Sequence, residues 1–282
     1  MIAVVTVGLL ATLTATSPAQ QSGSHTWLGA QGEPLPFQSD EEILDFLNTA
    51  EVVSLSKIPT GVTHPRKALL EKDGVQLHAV VHNHDQTLKR VRMSDGRFRM
   101  NLHDYALFQV AAYRMARLLG LDNVPPAVER RIDGKKCSVQ MWVEGTMTEE
   151  ERTKKHLRAP KYLRWRHEVQ NMYIFDALIG NDDPNAGNIL YEKDSWKLWM
   201  IDHTRSFQIS RSPWDLSKIV SIDRQLWENL QALDQAAVKE RAGKILSKNE
   251  IASIFKRRQQ LIEHIQGLID ERGEGAVIFV MG

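Results

Sequence analysis

The chain is poor in cysteine, in net charge and in long apolar runs. A single cysteine, Cys137, stands in 282 residues, which excludes an internal disulfide. It lies in the strand-like KKCSVQMWVE and reads as a buried structural thiol. Lys and Arg total 36 against 35 Asp and Glu, a net charge of +1, so bulk electrostatics gives no case for nucleic acid as a partner. The run from Ile2 to about Leu13 is too short for a comfortable membrane span, and no other segment approaches one. There is no Walker-type glycine-rich loop and no serine nucleophile elbow. What remains, 42% hydrophobic and 25% charged, is an ordinary globular composition. The length allows one large domain or two lobes around a cleft.

The first 19 residues have the shape of a secretory signal peptide, with Ser17 and Ala19 at the cleavage spacing but no Lys or Arg ahead of the apolar run. The expectation is an exported protein, periplasmic or secreted. An uncleaved N-terminal anchor and a misplaced start are the alternatives. Residues 20–38, rich in Gly, Ser, Gln and Pro, read as a flexible lead-in.

Ser39 with Glu42 forms a capping box ahead of the stripe Ile43, Leu44, Phe46 and Leu47, which predicts a helix. Glu51 to Lys57 is strand-like. Lys67 to Glu71 and Val75 to His82 read as a hairpin across Asp73-Gly74, with Leu88 to Met93 as a third strand beside them. Asn101 to Leu121 reads as the first long helix. A second hairpin turns at Asp133-Gly134. Most of Thr148 to Gly180 reads as helix. Two short strands follow, Asn188 to Tyr191 and Trp196 to Ile201. The rest reads as helices, one entered by Ser212-Pro213 and the last capped by Ser247 and Glu250. The pattern predicts an α+β, two-lobed chain: a β-rich N-lobe over 39–143 and a larger helical C-lobe over 144–282, crossing at MWVEGTM.

The chemistry concentrates in IGNDDPNAGNIL, Ile179 to Leu190. Pro184 stops the preceding helix beside Asp183. Asn188 begins one strand of a hairpin and Asp202 ends the other, so the two become neighbours, with Asp183 across from them. Hard cations such as Mg²⁺ take one or two carboxylates plus substrate phosphates. Phosphoryl transfer needs such ligands and a separate carboxylate for the acceptor's proton. Asn188 and Asp202 suit the first role, Asp183 the second.

The stretch resembles the catalytic and metal-binding loops of the atypical protein-kinase-like superfamily. Its nearest branches are the phosphatidylinositol 3- and 4-kinases, the HipA-type kinases and the secretory-pathway kinases. Asp183, Asn188, Asp202 and Phe207 match the motif. LLGLDNVPPAVER and QMWVEG resemble the helix-to-strand passage and hinge. The resemblance implies a kinase-like fold and an ATP-dependent phosphotransferase using Mg²⁺ or Mn²⁺, with a hydroxyl acceptor on a protein, lipid or small molecule. Backbone groups of Met141, Val143 and Glu144 would meet adenine. The family grips phosphates with a lysine oriented by a helix glutamate. Here those positions offer His82 and Gln109. Lys67 or Lys89 are alternatives for the lysine, and Asp104 for the glutamate. Pro184 also departs from the usual Arg or Gly. A nucleotide-binding pseudokinase is the alternative outcome.

Two further readings compete. Asn181, Asp183, Asn185, Gly187 and Glu192 have EF-hand calcium spacing, but Ala186 replaces the turn glycine and a strand follows. Asp182, Asp183 and Asn185 also suit a plain Asx-turned helix end. His78, His82 and His84 alternate on a strand, either as a metal site or as solvated polar positions.

Overall fold

The Ser39 hydroxyl accepts from the Glu42 N–H, and the Glu42 carboxylate accepts from the Ser39 N–H, so the expected capping box opens α1 (Asp40–Thr49). Such a cap is worth about 1 kcal/mol. The computed structural model describes residues 25–59, 64–92, 96, 98–181, 185–209 and 215–281. After α1 come β1 (Glu51–Lys57), β2 (Arg66–Lys72), β3 (Val75–His82), β4 (Asp85–Arg92), β5 (Phe98–Tyr105), α2 (Phe108–Leu118), β6 (Ala127–Ile132) and β7 (Lys135–Met141). Five strands form one antiparallel sheet in the order β1-β2-β3-β7-β6. Both Asp-Gly turns lie within it. Asp73 and Gly74 have φ of 53° and 77°, and Asp133 and Gly134 have 51° and 73°. Two consecutive positive φ values are what a two-residue hairpin turn requires. Ala68, Leu70, Leu77, Ala79, Val81 and Val139 bury one face of the sheet against Ile43, Phe46 and Leu47 of α1.

The second half holds β8 (Thr146–Thr148), α3 (Glu149–Lys154), α4 (Tyr162–Ile179), β9 (Ile189–Glu192), β10 (Leu198–Met200), β11 (Ile222–Asp223), α5 (Arg224–Ala232), α6 (Gln235–Ala242), α7 (Lys248–Arg272), α8 (Glu274–Val277) and β12 (Ile278–Phe279). A separate apolar core gathers α4 to α7. It also takes in the buried residues of α2, including Val110, Met115 and Ala116, so a helix from the first half is anchored in the second half's core. The α+β, two-lobed expectation describes this arrangement.

Several local expectations are corrected. The strand from Leu88 does not join the main sheet. It pairs with β5 in a separate ribbon, Leu88 opposite Leu102. Asn101 to Tyr105 is therefore strand, and the helix begins at Phe108. Leu102 and Asp104 point inward in alternation, a period-2 signal that the longer apolar stripe of α2 obscured. The helix expected over 148–180 is two helices with β8 ahead of them. Ser212-Pro213 lies outside the described residues; Leu216–Lys218 is one 3₁₀ turn.

The flexible lead-in is corrected for its described part. Trp27 and Leu35 are buried, and the Leu35 N–H donates to the Trp27 carbonyl. The Trp27 ring packs 4.9 Å from that of Trp199 on β10. Ala30 N–H donates to the Gln76 carbonyl at 3.0 Å. Composition suggested a linker, but one buried indole is enough to seat the segment.

Candidate functional site

The β9–β10 ribbon is short because each strand contributes only a few residues, and its register sets the site. Met200 pairs with Ile189. One step on, the Ile201 N–H donates to the Asn188 carbonyl at 3.0 Å. Asn188 and Asp202 therefore emerge side by side from one end of the ribbon, as hairpin closure predicts. Asn185 closes an Asx turn in front of them, accepting from the Gly187 N–H at 2.8 Å through its side chain. Asp183, the expected catalytic carboxylate, lies outside the described residues, as do Asp182 and Pro184.

Asp202 sits at φ 56°, in the left-handed region that few side chains besides Asn and Asp enter readily. Its surroundings hold it there. Thr204 Oγ1 donates to Asp202 Oδ1 at 3.1 Å. The next residue's N–H, that of His203, donates to Gln109 Oε1 at 2.8 Å. The Phe207 N–H donates to the Ile179 carbonyl at 2.7 Å, and the Phe207 ring packs edge-on against Phe108. His203 is enclosed, and burial pushes its imidazole down to about 4 against the pull of Asp202.

Above Asp202 stands an ionic chain. His82, at the end of β3, is buried; burial lowers its pKa while the Asp202 charge pulls the other way. Its ring lies 5.6 Å from that of His84. His84 Nε2 is 2.6 Å from Asp104 Oδ1, and Arg205 Nε is 2.9 Å from Asp104 Oδ2. Asp104 is fully buried. Burial raises its carboxyl, but hydrogen bonds from His84 and Arg205 outweigh this and hold it down at about 2. The outer ribbon fixes the chain in place: Ala106 N–H donates to the His84 carbonyl and Tyr105 N–H to the Thr204 carbonyl, both at 2.8 Å.

At the crossing, Glu144 meets His78 Nδ1 at 2.5 Å and Lys67 Nζ at 3.9 Å, and Lys67 lies over the Trp142 ring. The N–H groups of Met141 and Trp142 are taken by the carbonyls of Pro126 and His78.

No protein-family model matches the chain, and no curated protein matches its sequence. Solved structures do match it. A Golgi casein kinase aligns with TM-score 0.62 at 16% identity, over 86% of this chain and 79% of that one. A hydra Fam20 structure with sugar aligns with TM-score 0.64 at 13% identity, over 86% and 94%. A proinflammatory kinase of Helicobacter pylori aligns with TM-score 0.51 at 12% identity, over 80% and 98%. The chain has an atypical protein-kinase-like fold.

Within this kinase-like fold the expected site residues divide. His82, Asn188 and Asp202 come together. Gln109 is fully buried and braces the backbone after Asp202, without turning to His82. Asp104, the alternative weighed for that role, is bonded to His84, two residues past the end of β3. Lys67 is drawn to the crossing by Glu144, and Lys89 is exposed on β4 of the outer ribbon, away from the main sheet. Met141 and Val143 bury their side chains in the small-lobe core, so only their backbones are available. The histidines of β3 are neither a solvated row nor, among the described residues, part of a metal-holding group. The EF-hand reading fails on its ligands. The position-12 ligand, Glu192, sits on strand β9 where an EF-hand needs a helix, and its carboxylate accepts from Trp199 Nε1 and from Ser195.

Sequence reasoning missed Arg205, which carries no motif signal, and Arg257. The run Lys256-Arg257-Arg258 reads as a solvated face, yet Arg257 is fully buried. Its Nε donates to the Leu178 carbonyl at 2.8 Å and its Nη1 to the Gln208 carbonyl at 2.9 Å. It thereby ties the end of α4 to the segment after Phe207. Gly180 makes room for it: at φ 62°, a Cβ there would lie 2.8 Å from the guanidinium carbon. Beside this turn, burial pushes Asp176 up to about 7, with Asn181 opposing.

Proposed function

We propose that the chain is an exported phosphotransferase that uses ATP with Mg²⁺ or Mn²⁺ and delivers phosphate to an alcohol group. The observation that carries this is the emergence of Asn188 and Asp202 together beneath the β3 end that presents His82. The donor set suits a hard divalent cation. One carboxylate and one amide offer oxygen alone, and substrate phosphates complete such a shell. A cation bound there would neutralise phosphate charge during transfer.

The chain's own residues do the rest. Val143 and Glu144 lie past the spent N–H groups of the crossing, and we assign adenine contact to their backbones. His82 faces the phosphates where the superfamily places a lysine. His84, Asp104 and Arg205 hold that corner rigid in place of a lysine–glutamate pair. Asp183 accepts the acceptor's proton, a role that rests on sequence spacing. The boundary between the two lobes is placed between Val143 and Glu144. The missing lysine favours a second reading, a nucleotide-binding pseudokinase without turnover.

Thermal-shift titration and a phosphate-transfer assay together separate the two. ATP with Mg²⁺ is expected to raise the midpoint by about 2 °C or more at saturation. Asp202→Ala should remove that shift, and Asp183→Ala should keep it while abolishing transfer. Full transfer by Asp183→Ala would overturn the catalytic assignment. A shift without any transfer by wild type would select the pseudokinase.

A further inference from the structure

The chain as a whole is nearly neutral, yet Arg152 to Arg166 holds seven Lys and Arg and no Asp or Glu. The stretch runs from α3 across a loop into the first turns of α4. Arg152 is bound by Glu149, and Arg164 lies 3.5 Å from Glu168. Lys154, Lys155, Arg158, Lys161 and Arg166 have no carboxylate partner among the described residues. Large apolar side chains stand among these cations. Leu157 is 38% exposed, Tyr162 62% and Leu163 63%. Tyr162 and Leu163 are adjacent at the start of α4, with Arg166 over the Tyr162 ring.

We propose that this face docks on an anionic lipid bilayer. Unpaired cations among exposed leucine and tyrosine fit an interface where headgroup phosphates meet acyl chains. A nucleic-acid surface would use the cations but leave Leu157 and Leu163 in water. An acidic protein groove would leave unexplained why the apolar side chains protrude from the surface. The proposal does not depend on turnover in the cleft. It has a consequence for the cleft all the same: the Glu150 N–H in α3 donates to the Ala186 carbonyl at 3.2 Å. A chain docked through this face would therefore hold the loop leading to Asn188 near the bilayer.

Vesicle co-sedimentation of the full chain tests this, comparing phosphatidylcholine vesicles with vesicles that also contain phosphatidylglycerol. The apolar N-terminal run is present in every sample, so the readout is the difference between the two lipids. Binding is expected on anionic vesicles, weakened by salt, and reduced about tenfold or more by Lys154→Glu with Lys155→Glu. Leu163→Ser, at an exposed position in the first turn of α4, should weaken it separately without loss of fold by circular dichroism. Equal binding to both lipids, indifference to these substitutions, or tighter binding to double-stranded DNA than to anionic vesicles would each overturn the proposal.

Discussion

Replacing Asp104 by Asn keeps the volume and removes the charge between His84 and Arg205. The folded carboxyl stands at about 2 against 3.8 for the free group. That displacement corresponds to about 2 kcal/mol of folding free energy. Removing one member of a buried ion pair also strands the others, and such losses run to about 3–5 kcal/mol. Asp104→Asn should therefore destabilise by at least about 2 kcal/mol near neutral pH, a fall in midpoint of roughly 5 °C or more for a chain of this size. The pH dependence identifies the cause. Because the folded pKa is depressed, the contribution is complete above the unfolded value and is lost as pH falls through the folded one. The gap between wild type and variant should be constant above about pH 5 and its titrating part should shrink by roughly half near pH 3. Urea denaturation of both proteins across that range measures it. A gap under about 1 kcal/mol at neutral pH, or one unchanged near pH 3, would refute the account of this chain.

Asp176 gives the opposite sign. Its folded pKa of about 7 lies above the usual 3.8, so the folded chain keeps a proton that the unfolded chain releases, and stability falls as pH rises between those values. Asp176→Asn should stabilise by up to about 4 kcal/mol near pH 8 and by nothing near pH 4, read from denaturant melts at the two pH values. Arg257→Met fills the same space but abandons the carbonyls of Leu178 and Gln208. It should cost about 3 kcal/mol or more in a thermal or urea melt, although none of the proposed nucleotide contacts is altered.

Much of the site was legible because closure of a hairpin is arithmetic. Once Asn188 begins one strand of a hairpin and Asp202 follows the end of the other, their meeting follows from strand geometry alone. The Asp-Gly turns and the Ser39 and Ser247 caps were legible for a similar reason: each answers a local backbone demand that few residues meet. What was illegible depends on partners distant in sequence. Asn101 to Tyr105 becomes strand because β4 is there to pair with it. Gln109 faces His203 and not His82 because α2 is anchored in the large-lobe core. Arg257 lies in a run of like charge between exposed Lys256 and half-buried Arg258, and only the open carbonyls of Leu178 and Gln208 draw it fully inside.

The segment that seats Trp27 crosses a pivot. His25 rests 3.5 Å from Glu192, Leu28 lies close to Gly145 in the crossing, and Ala30 is fastened to Gln76 on β3. A cord secured on both sides of a pivot resists rotation in one sense only. Rotation about Trp142 to Glu144 that lengthens the path over it must unseat the indole, while rotation the other way slackens it. The aperture of the proposed cleft would thus be biased by a stretch outside the proposed nucleotide site. A single proteolytic nick between Trp27 and Ala30, between the two fastenings, would release that bias and leave every proposed substrate contact in place.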